Sequence, residues 1–372
     1  MKKMTSILLL FSVLMAACGG SGDPLPINPK PEVEIKWEIS PTETILSGEG
    51  DTKNIIVKAN GDWSVTSSQP WCSLTPKIGG NGETLVRVSA FSNPVYESRN
   101  AELTFVSGKY SHKYTVKQEA GKLEDYVPEG YNLVWSEEFN VERLSDGKPA
   151  LPDTKKWWYE NLPKGAVNNE LQTYVGGFRG NDTVAAIYDG TLKIIAQKSG
   201  NDVISARINT IEAWTYGYFE ARLRVPGGRG IWPAFWMMPK NFENWPLDGE
   251  IDIMEYVGYD PNVVHSSVHT QSYNHTIGTQ KTASKKIQNA ETQFHVYAVE
   301  WTPEYIKGFV DGEEYFRFDN DGTGNKNTWP FNAPFYLKLN LAWGGDWGGA
   351  KGIDETALPA TYEIDYVRVY KK

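Results

Sequence analysis

A chain of 372 residues with 40% hydrophobic and 22% charged residues has room for two packed cores and is not composed like a disordered segment. Its net charge of −9, with no basic run outside the extreme N-terminus, excludes a nucleic-acid ligand, because phosphates need clustered lysine and arginine. Two cysteines exclude a disulfide framework, while 14 tryptophans and 20 tyrosines leave aromatic rings to spare for a sugar or partner surface as well as for large cores.

In chain order, MKKMTSILLLFSVLMAAC comes first: a lysine pair, an apolar stretch and a small-residue end. This is a secretory signal, too short to span a membrane. Ala16 and Ala17 before Cys18 resemble a bacterial lipobox, in which the cysteine is acylated and becomes the mature N-terminus. A simple signal peptide cut nearby is the alternative. Gly19 rather than aspartate after Cys18 points such a lipoprotein to the outer membrane, exposed at the cell surface or, alternatively, facing the periplasm. Residues 19–34, GGSGDPLPINPKPEVE, read as a flexible-to-extended tether.

From 35 to 120, short alternating runs such as NIIVKA, WSVTS, TLVRVSAF, AELTFVSG and YTVKQ are broken by turn signals such as GGNGE and SGKY. They predict a small antiparallel β-sandwich, with Cys72 as a buried free thiol. A linker follows over 121–130. From 131 to 372 the pieces GTLKIIAQK, YGYFEARLRV, EIDIMEYV, HVYAVEWT, FYLKLNLAW and YEIDYVRVYKK carry strand patterning without a sustained helical period. The expected fold is all-β: a small β-sandwich, then a large two-sheet sandwich of the jelly-roll type. A Rossmann-type enzyme is excluded, since no strand runs into a glycine fingerprint that opens a helix.

The segment DGEIDIMEYV packs Glu250, Asp252 and Glu255 into six positions. On a strand, Glu250 and Asp252 share one face and Ile251 and Ile253 the other, which leaves Glu255 on the wrong side. One extra residue, a β-bulge at Ile253–Met254, restores the parity and lines all three acids on one face. A helix would place Asp252 about 200° from Glu250. Three carboxylates on one face repel one another, and a row that is neither a solvated acidic edge nor a cation site needs a use. Glycosidic hydrolysis is such a use: one carboxylate attacks or activates water, the other protonates the leaving oxygen, and the middle aspartate holds a proton between them. Trp232, Trp236 and Trp245 upstream supply aromatic platforms, and His265 and His269 follow downstream at a spacing of four. A zinc site is disfavoured, because no HExxH-type spacing occurs.

Two family resemblances rest on these residues. GDWSVTSSQPWCSLTP through YTVKQEA, with Trp63, Trp71, Arg99 and Gln118 as landmarks, is similar to BACON modules, immunoglobulin-like sandwiches found ahead of glycoside hydrolases. The two tryptophans are expected in its core, the module acting as a spacer, with glycan binding the weaker alternative. GEIDIMEY, with YGYFEARLRVPGGRGIWPAFWMMP before it and VWSEEFN, NNELQTY, SARINT, LNLAWGGDWGG and EIDYVRVY in order, resembles glycoside hydrolase family 16. The bulged acidic strand is that of its laminarinase branch.

The resemblance implies Glu250 as nucleophile, Asp252 as assisting acid and Glu255 as general acid/base of a retaining mechanism. Retention wants the two carboxyls about 5 Å apart, whereas Cα atoms four effective steps apart on a strand lie about 13 Å apart, so the sheet face should be concave there. It further implies a cleft of Asn168, Arg207, Trp232, Trp236, Trp245, His269 and Trp343, with Arg207 open to either a binding or a framework role. A structural calcium is implied at Glu138, Gly190 and Asp365, with oxygen ligands of the kind calcium prefers; catalysis itself requires no cofactor. The partner expected is a β-glucan, mixed-linkage or laminarin-type, cut internally by a monomer held to the membrane through its N-terminal lipid. A galactan-cleaving relative and a non-catalytic glycan-binding lipoprotein are the alternatives.

Overall fold

The computed structural model describes residues 34–90, 93, 98–121, 126–139 and 149–372. The signal segment, Cys18 and nearly all of the tether lie outside the described residues. Among the described residues the elements are strands, with two 3-10 turns at His275–Ile277 and Glu355–Ala357. No described helix is long and apolar enough to cross a membrane.

The N-terminal unit is a sandwich of two sheets. One runs in the order Trp37–Ser40, Asp51–Ala59, Gly82–Ala90, Ser73–Thr75; the other in the order Thr44–Leu46, Tyr110–Gln118, Arg99–Ser107, Trp63–Ser67, Ile78–Gly79. Alternation sends Ile55, Val57, Val86, Val88, Leu103, Phe105 and Val116 inward, where all are buried. Trp63 is in that core, its ring 5.4 Å from Phe105. Trp71 is half-buried beneath the Arg99 guanidinium at 4.5 Å, and Arg99 Nε donates to Gln118 Oε1 at 2.9 Å. These landmark residues therefore act as framework. Cys72 is buried and free, as expected.

The larger unit packs a ten-stranded sheet against a seven-stranded one. The seven strands lie side by side in the order Trp157–Tyr159, Arg207–Thr210, Phe335–Trp343, Ile231–Pro239, Glu250–Tyr256, Val263–His269, Lys281–Lys286, all antiparallel. Their inward residues, among them Ile208, Leu337, Leu339, Leu341, Phe235, Met237 and Ile251, meet Ile194, Phe219, Leu223, Val299 and Tyr362 of the ten-stranded sheet. Each such aliphatic side chain contributes about 1.5–3 kcal/mol by leaving water, so the core fixes which face of every strand turns outward. The outer edge strand, KTASKK, carries three lysines that discourage further pairing.

One cleft candidate is settled by this parity. Trp343 follows Leu337, Leu339 and Leu341 at steps of two and is buried with them in the core. The expectation that it lines the cleft is corrected: an even number of residues from the core leucines puts it on their side.

Candidate active site

Gly249 turns the chain into the carboxylate strand at φ 89°, where an added Cβ would lie 2.8 Å from Pro330. The ladder to Ile231–Pro239 pairs Trp236 with Asp252 and then Phe235 with Met254, which leaves Ile253 as an extra residue. On the other flank Asp252 opposes Ser267 and Glu255 opposes His265, so Ser266 alone spans Ile253 and Met254. Both of those residues are buried in the core, and Ser266 Oγ donates to the Asp252 carbonyl at 2.8 Å. The bulge expected from parity is present at its expected place, and Glu250, Asp252 and Glu255 share the outer face.

Each glutamate accepts one indole N–H. Trp245 Nε1 donates to Glu250 Oε2 at 2.6 Å, and Trp232 Nε1 donates to Glu255 Oε1 at 3.1 Å. His269 Nε2 lies 3.3 Å from Asp252 Oδ2, and its ring stands 5.9 Å from Trp245 and 5.2 Å from His275. At the other glutamate, the Trp347 ring meets Trp232 at 5.6 Å and His265 at 5.0 Å.

Burial, then the Glu250 charge and a hydrogen bond between the two groups, holds the Asp252 carboxyl well above the usual range. Burial and then the Asp252 charge hold Glu255 well above it too, with His269 and the Trp232 N–H pulling the other way. Asp252 and Glu255 therefore keep protons at a pH where ordinary carboxyls have lost them. The row consists of a carboxylate that receives a proton donor from Asp252, beside a carboxylic acid.

A second layer holds the platform. Trp236 Nε1 donates to Asn340 Oδ1 at 2.7 Å, and Asn340 Nδ2 to the Tyr174 hydroxyl at 3.1 Å. Two cations approach the Trp236 ring: Lys338 Nζ at 4.7 Å and the Arg207 guanidinium at 5.6 Å. Glu160 pairs with both of them, and Glu170 with Arg207 at 3.4 Å. Burial brings the Lys338 ammonium down to about 8, against the Glu160 charge, which raises it.

The structure therefore gathers Trp232, Trp236, Trp245 and His269 around the three acids, with Trp245 bonded directly to Glu250. For Arg207 it favours the framework role: the side chain is buried, and its hydrogen bonds go to Glu160, Glu170 and Tyr174. Asn168 stands on an exposed loop in the left-handed region at φ 47°, its carbonyl accepting from the Asp346 N–H at 2.8 Å. It thus helps strap that loop to the 344–346 turn. Sequence reading missed Lys338, Asn340, Glu160 and Glu170. A signal for the first two was present in LKLNLAW, where polar residues alternate with leucines as in EIDI.

The calcium expectation does not fit the arrangement at its carboxylates. Glu138 holds Arg368 through two hydrogen bonds of 2.9 and 2.8 Å, and Asp365 accepts from Arg222 at 2.9 Å. Burial pushes Asp365 up to about 7 in spite of that arginine. Both candidate carboxylates are engaged by guanidinium groups.

A two-sheet sandwich with an acid beside a carboxylate on a bulged strand, flanked by indoles, defines a carbohydrate-cleaving enzyme of the two-carboxylate type. Comparison with known proteins gives the family. Residues 176–368 match glycosyl hydrolases family 16, and residues 36–121 match the viral BACON domain. A beta-glucanase of Rhodothermus marinus is 46% identical over 254 residues, covering 65% of this chain and 85% of that protein. The solved structure of the laminarinase from Rhodothermus marinus superposes with a TM-score of 0.60 at 45% identity, over 65% of this chain and 97% of that one. A non-specific endo-beta-1,3(4)-glucanase structure superposes at 0.61 and 43% identity, over 66% and 93%. The chain belongs to glycoside hydrolase family 16, preceded by a BACON module.

Proposed function

We propose that this protein is a retaining endo-β-glucanase that cuts laminarin-type β-1,3-glucan and mixed-linkage β-1,3/1,4-glucan. The observation that carries the reading is the division of labour on one bulged strand: Glu255 is held toward its protonated form, while Glu250 accepts hydrogen bonds from Asp252 and from the Trp245 N–H. Glu255 donates that proton to the glycosidic oxygen as the Glu250 carboxylate forms a bond to the anomeric carbon, and the leaving sugar departs as an alcohol. Asp252 keeps its hydrogen bond to Glu250 throughout, which positions the nucleophile. Glu255, now a carboxylate, takes a proton from water; the oxygen of that water attacks the anomeric carbon, and the Glu250 ester bond breaks. Two inversions give retention. Trp245 and Trp232 hold the two carboxyls in place, and Trp236 offers its ring to a sugar face.

Glu250→Gln should abolish release of reducing ends from barley glucan and laminarin, and equal activity in the two proteins would sink the nucleophile assignment. Cleavage of agarose alone would move the chain to the galactan-cleaving reading. Binding without cleavage by the wild-type chain would make it a glycan-binding protein. Trisaccharide and tetrasaccharide products from mixed-linkage glucan would mark a lichenase-like cut. Acylation at Cys18, with the BACON module as spacer, is the matching proposal for location: labelled palmitate should enter the wild-type chain and not Cys18→Ala.

A further inference from the structure

Adjacent residues of the first edge strand are sent to opposite faces. Trp157 is buried in the core, with its ring 6.0 Å from Phe139 and 5.8 Å from Trp135. Trp158 must then point outward, and at 40% exposure it is the one tryptophan among the described residues that ranks as exposed. The ladders place it in the catalytic row. Trp158 pairs with Asn209, Asn209 with Lys338, Lys338 with Trp236, and Trp236 with Asp252. Alternation against Ile208, Leu339, Met237 and Ile251, all in the core, puts these side chains on the face that carries the acids.

Strands in a sheet lie about 4.8 Å apart, so Trp158 is four spacings, about 19 Å, from Asp252 along a line that crosses the strands. The Tyr336 ring lies between the two indoles, 6.0 Å from Trp158 and 5.2 Å from the Lys338 ammonium that also faces Trp236. Asn209 and Lys338 in the same row are buried, and Lys338 is neutralised by Glu160. Trp236, Tyr336 and Trp158 therefore present an aromatic lane over a buried polar floor, continuous with the acids and ending at the sheet edge. A partly exposed indole at such a place leaves apolar ring in water that the face of a pyranose can cover.

From this the geometry points to a distal glucosyl-binding subsite built on Trp158 and Tyr336, three to four sugar units from the bond that is cut. It lies on the side of the cleft that holds Arg207. Its ligand is the apolar face of a pyranose ring in the same β-glucan chain that the acids cleave. The inference rests on the function proposed above. It makes this enzyme prefer long chains for a reason located far from the chemistry, with binding energy from a remote ring used at the reacting centre.

The test is kcat/KM of the full chain on laminari-oligosaccharides of graded length, for the wild type, Trp158→Ala and Trp158→Phe. Trp158→Ala should lose about tenfold on the hexa- and heptasaccharides, the equivalent of one lost ring contact, and the loss should fade towards the tri- and tetrasaccharides. Trp158→Phe should recover most of the loss. A loss that is the same at every length, or absent at every length, would overturn the subsite while leaving the glucanase reading in place. A wild type inactive on every β-glucan would instead overturn the glucanase reading itself. Thermal melting of the three proteins should coincide, and a large fall for Trp158→Ala alone, with a length-independent loss, would reassign Trp158 to edge packing.

Discussion

Replacing Trp232 by phenylalanine tests the electrostatics of the site through a single hydrogen bond. The indole N–H donates to Glu255 Oε1 at 3.1 Å and favours the ionised form of that carboxyl, against burial and the Asp252 charge, which favour the protonated form. Phenylalanine keeps a ring and removes the donor. The sign follows: without the N–H, ionised Glu255 is less stable and its pKa rises further above the carboxylate range. A bond to a charged group is worth about 1.5–3 kcal/mol, or one to two pH units if all of it is lost; for a single bond of 3.1 Å, about one unit is the expected shift. Because activity needs Glu255 protonated, the alkaline limb of kcat/KM should move up by that amount. The assay is reducing-end release from a soluble β-glucan across a pH series at low substrate, where kcat/KM reports the free enzyme. A limb that stays put or moves down would refute the assignment of Glu255 as the acid held in this balance.

Three further outcomes follow from the same geometry. Asp252→Asn should raise stability by about 1–2 kcal/mol at neutral pH while lowering kcat, because Asp252 and Glu255 have folded pKa values above their unfolded ones. Stability from such carboxyls is fully present below the unfolded values near pH 4 and is lost as pH rises through the folded ones, so the gain in melting temperature should grow with pH across that window. Gly308→Ala should cost about 1–3 kcal/mol and lower activity, since the added Cβ would lie 2.7 Å from Ser266 Oγ, the group that holds the Asp252 carbonyl at the bulge; urea unfolding would show it. Asn340→Leu should weaken long-substrate affinity severalfold with little change in the pH profile, because Asn340 fixes the Trp236 indole at 2.7 Å and touches neither glutamate; KM against kcat separates the two effects.

The bulge was legible in the sequence because it answers a parity conflict between two neighbouring requirements. Ile251 and Ile253 want the core, three acids want one outer face, and only one inserted residue satisfies both. The tryptophans near the acids were legible by proximity in the chain, though not their bonds: nothing in sequence order says that Trp245 reaches Glu250 and Trp232 reaches Glu255. Trp343 was misplaced because the family resemblance alone suggested the cleft, while its parity with Leu337, Leu339 and Leu341 sent it inward. Trp158 and Lys338 come from strands more than 80 residues away from Asp252 in sequence, and only the ladder register brings them into one row with it. Long-range register is the part that a local pattern does not contain.

The site also shows how two identical side chains acquire opposite duties. Each glutamate accepts one indole N–H, so the tryptophans orient the pair without distinguishing its members. Burial holds Glu255 up first, and Asp252 adds to it. Buried and unable to hold a full charge beside Glu250, Asp252 shares one proton with that carboxylate, which also accepts the Trp245 N–H. The Glu250–Asp252 pair carries a net negative charge, and Glu255 on the far side of the bulge meets that charge with no proton to share, so it holds its own. Removing Asp252's carboxyl altogether, as in Asp252→Ala, should therefore do more than lower the rate. The pair's negative charge then sits on Glu250 alone, which weighs less on Glu255 than Asp252 does, so the alkaline limb set by Glu255 should move down, opposite in direction to the Trp232→Phe shift. Both limbs moving the same way would mean that Glu255 is held up by burial alone and that Asp252 does not set the difference between the two glutamates.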